Sequence, residues 1–176
     1  REGDDVWVLA GNEEIRLPFL RQQVKKREGR ANMCLADFID ADGEDWIGGF
    51  AVGIHGIQPH LDRFRAQNDD YSDILLKALA DRLAEAFAER LHQHVRENLW
   101  GYAATEHLSN IDLIRESYSG IRPAPGYPAC PDHSLKPLLF PLLGHDPAGV
   151  TLTDNFAMLP ASAVSGFYFG HRDSQY

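Results

Sequence analysis

Residues 120–133, GIRPAPGYPACPDH, place an arginine and a tyrosine on a segment with four prolines. Each of Pro123, Pro125, Pro128 and Pro131 fixes its own φ near −65° and biases the residue before it toward extended backbone. Arg122, Ala124, Tyr127 and Cys130 are therefore restrained by their neighbours, and the loop loses little conformational entropy when it orders. Arg122 on such a frame suits a planar carboxylate, which a guanidinium holds with two parallel hydrogen bonds. Tyr127 offers an aromatic face to an adenine or a cation. Gly126 can take a positive φ or admit a ligand close to the backbone. With few N–H groups in the loop, the carbonyls of residues 122–125 are expected to be free acceptors. The plain alternative is a Pro-rich surface connection that carries a surface arginine.

Two glutamates come next. Glu85 and Glu116 could bind a cation or an amine, or exchange protons with a substrate. Neither has a partner close in sequence that would define a catalytic pair. Glu116 also reads as an ordinary exposed or capping residue, and Glu85 as a polar position on the flank of a buried helix. The eight histidines, His55, His60, His92, His94, His107, His133, His145 and His171, show no HExxH spacing, so a metal site is not expected. His92 and His94 stand two residues apart and face different sides of a helix. Cys34 and Cys130 form no CxxC or zinc spacing and read as reduced thiols. There is no GxSxG, no P-loop and no dinucleotide fingerprint.

The elements that must hold these residues follow from periodicity. VWVL (6–9) and EEIRLPF (13–19) flank a GN turn and read as paired strands, with Pro18 at an edge or end. Residues 21–30 read as a loop or short helix. MCLADFI (33–39) and DWIGGFAVGI (45–54) read as two strands that pair around an acidic turn, with close backbone approach at Gly48–Gly49. A helix near residue 59 leads into one long helix over residues 72–100, capped by Ser72 or Asp73 and stopped by Gly101. Its stripe of Leu76, Leu79, Leu83, Phe87 and His94, its flank of Ile74, Ala78, Glu85 and His92, and its third face of Ala80, Ala84, Ala88 and Leu91 predict a helix buried on most sides. A short helix capped at Ser109 or Asn110 precedes the proline loop. Residues 133–144 read as a broken apolar segment that could form a short helix, and residues 150–160 and 163–171 as strands, the last half-buried. Strands, then helices, then strands indicate one α+β domain with helices against an antiparallel sheet.

The chain has 176 residues and 44% apolar content, enough for a core. Its net charge of −9 and the lack of a basic face argue against nucleic acid. No apolar run reaches the roughly 18 residues of a membrane span, and the acidic start is unlike a signal peptide; the reading of Cys34 and Cys130 as reduced thiols carries the expectation of a cytoplasmic location.

Longer runs carry a resemblance. CLADFI, NDDYSDILLKALADRLAEAFAERLHQHVR, WGYA, LSNIDLIRESYSGIRPAPGYPACPDH and FAMLPASAVSGFYFGHRDSQY closely resemble the activation domain of cobalamin-dependent methionine synthases. The family's RxxxGY element stands here between Arg122 and Tyr127. The resemblance implies a C-shaped α+β domain, with a bent antiparallel sheet and flanking helices, that binds S-adenosylmethionine in a shallow site. That methyl group restores the cofactor after it has lapsed to cob(II)alamin, within the methyltransferase that makes methionine. The corrinoid sits on a separate cobalamin-binding module, the electron comes from flavodoxin or a diflavin reductase, and the domain alone does not turn over. By position, Arg122 resembles the arginine at the ligand's carboxylate. Ala124 and Gly126 would lend backbone, and Tyr127 would line the site. Glu85 and Glu116 would lie at or near the ligand, and Tyr176 would contact it. Residues 1–176 are expected to lack the family's N-terminal segment, which supplies an aspartate to the site, and its final helical stretch. The competing expectation is a docking module for the flavoprotein and the cobalamin module, with ligand binding lost.

Overall fold

The structure is a computed structural model that describes residues 1–174. Among the described residues, six strands and four α-helices alternate with short 3₁₀ turns and one π turn. The strands form three antiparallel pairs rather than one continuous sheet. β1 (Asp5–Ala10) and β2 (Glu13–Pro18) are the expected hairpin, in register from Asp5–Pro18 to Ala10–Glu13, with Pro18 at the strand's end.

The second pairing differs from the expectation. β3 (Gly48–Gly53) pairs with β6 (Ala163–Tyr168) at the other end of the chain, not with residues 33–39. Residues 35–38 instead form a 3₁₀ turn. Asp37 interrupts the apolar run and closes that turn, its carboxylate accepting from the Cys34 N–H at 2.9 Å. Arg21 then clamps Asp37 with both terminal nitrogens, at 2.7 and 2.8 Å. The fork holds the Asp37 carboxyl below the usual carboxylate range. At Gly49 the close approach comes from a side chain: a Cβ there would lie 2.8 Å from Leu139 Cδ1.

β4 (Thr151–Leu152) and β5 (Met158–Leu159) form a small hairpin where one strand was expected. β6 is buried on both faces, not one. Its odd residues Phe167 and, just beyond it, Phe169 pack with Phe19, at ring separations of 5.4 and 5.8 Å. Its even residues Val164 and Tyr168 face the other way, onto Phe50, Ala84 and Ala88. Two cores therefore share one strand.

α1 (Gln58–Ala66) leads into α2 (Asp70–His94), which runs 25 residues. The cap of α2 is Asp69, whose side chain accepts from the Ser72 N–H. Ser72 and Asp73 therefore lie inside the helix. One π turn, Val95–Leu99, ends it, and Gly101 follows at φ 74°. The face of α2 toward β3 and β6 is Ala80, Ala84, Ala88 and His92. The Leu stripe lies on the other side: Leu79, Leu83 and Phe87 are 48–52% exposed. Alanine wins the inner face because small side chains let the helix backbone lie close on the strand pair. α3 (Asn110–Ile114) starts at Ser109, which caps it together with Asp112, and α4 (Lys136–Leu142) packs near β2 and β6. Among the described residues no helix is long and apolar enough to cross a membrane.

Candidate functional site

The proline loop is docked on β6 by backbone hydrogen bonds. Ile121 and Phe169 exchange N–H···O bonds of 3.0 Å each, and the Phe167 N–H donates to Pro123 O at 2.9 Å. Gly166 allows this approach, since a Cβ there would stand 2.4 Å from Pro123 O. Beyond Pro123 the loop folds on itself. Gly126, at φ 107°, is in a region that glycine alone enters readily. Its N–H donates to Cys130 O at 2.8 Å, the Tyr127 N–H to Ala124 O at 3.2 Å, and the Cys130 N–H to Tyr127 O at 2.9 Å. The carbonyl of Pro123 thus accepts from β6 and that of Ala124 from the loop's own turn, so these two are acceptors already in use. Rigidity here comes from proline dihedrals and from this bonding together.

α2 supplies the opposing wall. Glu85 and Glu89 lie one turn apart and each holds one side chain of the loop. The Tyr127 hydroxyl donates to Glu85 Oε1 at 2.6 Å, and Arg122 Nη2 donates to Glu89 Oε2 at 2.8 Å. The Tyr118 hydroxyl lies 3.4 Å from the same Glu89 oxygen. The hydrogen bond to Glu85, and then burial, raise the Tyr127 phenol above its ordinary range. Burial opposes the charge on Arg122, but the Glu89 hydrogen bond and charge outweigh it, and Arg122 is held firmly protonated.

Beneath this pair α2 continues with His92 and Arg96, which are fully buried. The His92 ring stacks on Tyr168, with centroids 5.2 Å apart, and meets the edge of Tyr118 at 5.1 Å. Burial, with Arg96 and Arg122 nearby, pushes His92 down to about 3, so its ring is neutral. The Arg96 guanidinium lies 3.9 Å from the centre of the Tyr118 ring and pairs with Glu106 through Nη2 at 2.7 Å. Burial pushes the Tyr118 phenol up to about 12. Tyr118 therefore stands as a neutral, fixed ring between an arginine, a histidine and a glutamate.

Between the α2 wall and the loop runs a groove of about 620 Å³. Glu85, Glu116, Tyr118, Arg122, Ala124 and Tyr127 contribute to its lining. Glu116 reaches it from the turn after α3 with a φ of 52°, a left-handed conformation that costs a non-glycine residue about 1–2 kcal/mol. Gly126 is not among the lining residues; it forms the turn beside Tyr127. The groove thus brings together five of the seven expected residues, Glu85, Glu116, Arg122, Ala124 and Tyr127. Tyr176 lies outside the described residues. Arg122 is not exhausted by Glu89. A guanidinium carries five N–H donors; among the described residues its ion pair with Glu89 uses Nη2, and Nε has no hydrogen-bond partner.

Sequence reasoning missed Glu89, Tyr118 and Arg96. A signal existed for two of them: residues 85, 89, 92 and 96 follow 3.6-residue spacing and set a polar stripe into an otherwise Ala- and Leu-rich helix. Among the described residues no group of three or more His, Cys, Asp or Glu side chains is placed to hold a metal ion.

Fold and groove together define a class: an α+β module with a mixed-charge groove between a long helix and a stiffened loop. Residues 1–176 match the family described as vitamin B12 dependent methionine synthase, activation domain, and the chain belongs to that family. A solved structure described as "Crystal Structure of the MetH Reactivation Domain bound to AdoHcy" is 51% identical and superposes with a TM-score of 0.91. The match covers 100% of this chain and 57% of that one, so this chain spans little more than half of that protein's length.

Proposed function

We propose that this chain is the S-adenosylmethionine-binding module of a cobalamin-dependent methionine synthase, and that it supplies the methyl group for reductive reactivation of the cobalamin. The observation that carries the reading is Arg122, held on one side by Glu89 and facing a groove lined by Glu85, Glu116 and Tyr127. S-adenosylmethionine carries a carboxylate, an ammonium, a sulfonium and an adenine. The groove offers a complement to each. Arg122 binds the carboxylate, Glu85 and Glu116 attract the cationic centres, and Tyr127 gives an aromatic face. Ala124 contributes backbone. Gly126, whose N–H is taken by Cys130 O, acts through the turn it permits. Support also comes from the similar domain that was solved with AdoHcy.

The sulfonium supplies an electrophilic methyl group, and the cobalamin, once reduced, supplies the nucleophile. The groove fits one nucleoside with its amino acid; a corrinoid is larger, and we assign it to a separate cobalamin-binding module. No proton needs to move on this chain. What its residues provide is position: binding energy at the two ends of the ligand fixes the methyl carbon for in-line attack. Tyr127, 51% exposed, leaves one wall open to solvent, as access by a second module requires. The electron comes from a flavodoxin or a diflavin reductase. The setting is the cytoplasm, where the free thiols Cys34 and Cys130 stay reduced.

Calorimetric titration with S-adenosylmethionine tests the reading. Arg122→Ala is expected to weaken binding by roughly 1.5–3 kcal/mol, the worth of a charge-assisted pair. A variant isotherm that overlays the wild type would refute it.

A further inference from the structure

To bind a ligand's carboxylate, Arg122 must keep donors available. Glu85 and Glu116 line the groove with it, and Glu89 on α2 pairs with it. A long, flexible arginine among acids tends to collapse onto whichever it reaches, and a collapsed guanidinium offers fewer donors to a ligand. Among the described residues its ion-pair partner is Glu89, through one nitrogen, at 2.8 Å. We infer that Glu89 is the positioning residue of the site: it anchors Arg122 by Nη2 at the α2 wall and thereby presents the remaining guanidinium to the ligand's carboxylate. This rests on the proposed role of Arg122.

Three features suit Glu89 to the task. It stands on α2, whose Ala84 and Ala88 are buried against the β3–β6 pair, so its backbone is fixed by the core and not by the loop. The Tyr118 hydroxyl approaches the same carboxylate oxygen at 3.4 Å, and Arg96 and His92 in turn hold the Tyr118 ring. Glu89 and Arg122 are also similarly shielded, at 22% and 21% exposure, so the pair is less weakened by solvent than a surface pair would be. One turn earlier Glu85 does the same for Tyr127, so spacing of four residues on one helix fixes both loop side chains. A pinned side chain has less freedom to lose when the ligand arrives.

The test compares two ligands on the purified protein. S-adenosylhomocysteine carries the amino-acid end; 5′-methylthioadenosine shares the nucleoside thioether and lacks that end. Neither donates a methyl group, so binding is read without reaction. Glu89→Ala is expected to weaken S-adenosylhomocysteine about tenfold and to leave 5′-methylthioadenosine within about twofold. Glu89→Asp keeps the charge and withdraws it by one methylene. It is expected to shift the same ligand in the same direction, and it carries the test should the alanine variant not fold. Equal losses for both ligands, or no loss for either, overturn the inference. Arg122→Ala, measured alongside, separates the two levels. If it weakens S-adenosylhomocysteine selectively while the Glu89 variants do not, the positioning role fails and the donor site stands. If Arg122→Ala leaves the ratio of the two affinities unchanged, the carboxylate assignment fails and the role of Glu89 falls with it.

Discussion

At Gly166 the strand and the functional loop meet with no room for a methyl group. The missing Cβ would sit 2.4 Å from Pro123 O and 2.9 Å from Phe50 Cε1. Neither neighbour can yield easily: one is backbone between two prolines, and the other is a buried ring stacked on Tyr168 at 4.8 Å. Gly166→Ala is therefore expected to push the loop away from β6 and to lengthen the Phe167 N–H bond to Pro123 O. The cost should be about 1–3 kcal/mol, the range for overfilling a packed interior. Because Arg122 precedes Pro123 directly, the displacement should also weaken S-adenosylhomocysteine. Denaturant unfolding and titration of the same variant check both. A loss of stability with unchanged affinity would show that Arg122 does not depend on this docking.

At the scale of the element, α2 decides both the core and the groove, and its hydrophobic pattern misleads about which side is which. The larger apolar residues define a stripe through Leu79, Leu83 and Phe87, yet that stripe is about half-exposed, and the helix turns Ala80, Ala84 and Ala88 inward. A reading based on hydrophobicity ranks Leu above Ala for burial; close packing on a two-stranded pair reverses the ranking. Ala84→Leu is accordingly expected to destabilise this chain by about 1–3 kcal/mol through overpacking, whereas Leu83→Gln should cost no more than about 1 kcal/mol. Thermal melts of the two variants side by side check the order. The same limit applies to other parts of the sequence. Local signals sufficed for the β1–β2 hairpin, for the Ser109 cap and for the stiffness of the proline loop, because turn residues, caps and prolines act within a few positions. The partner of β3 was not legible. Its choice between residues 33–39 and β6 depends on Asp37 being clamped by Arg21 and on both faces of β6 being covered, and these are contacts between distant segments. Within the groove, Arg122 and Tyr127 could be read from the loop that stiffens them. Glu89 could not be separated from an ordinary helix-surface glutamate until Arg122 was seen opposite it.

For the whole molecule, the buried polar layer under the groove sets the response to acid. His92 is fully buried between Tyr168 and Tyr118, with the charges of Arg96 and Arg122 nearby. Burial first, and the two arginines second, hold its native pKa down to about 3, against about 6.5 in an unfolded chain. The sign follows from proton counting. Above pH 6.5 neither state binds a proton at this site, and His92 imposes no penalty. Between about pH 6.5 and 3 the unfolded chain takes up a proton that the native site refuses, so the native state loses stability as pH falls. At pH 5 that loss amounts to about 2 kcal/mol from this one group. His92→Leu removes the titration while keeping a buried side chain of similar size. Whatever the substitution does to stability at pH 7.5, the further loss between pH 7.5 and pH 5 should shrink by about 2 kcal/mol relative to the wild type. Chemical denaturation of both proteins at the two pH values gives that difference directly, with the other titrating groups cancelling between them. Parallel losses in the two proteins would mean that the imidazole accepts its proton in the folded state as readily as in water, and the neutral state of the buried His92 ring would have to be abandoned.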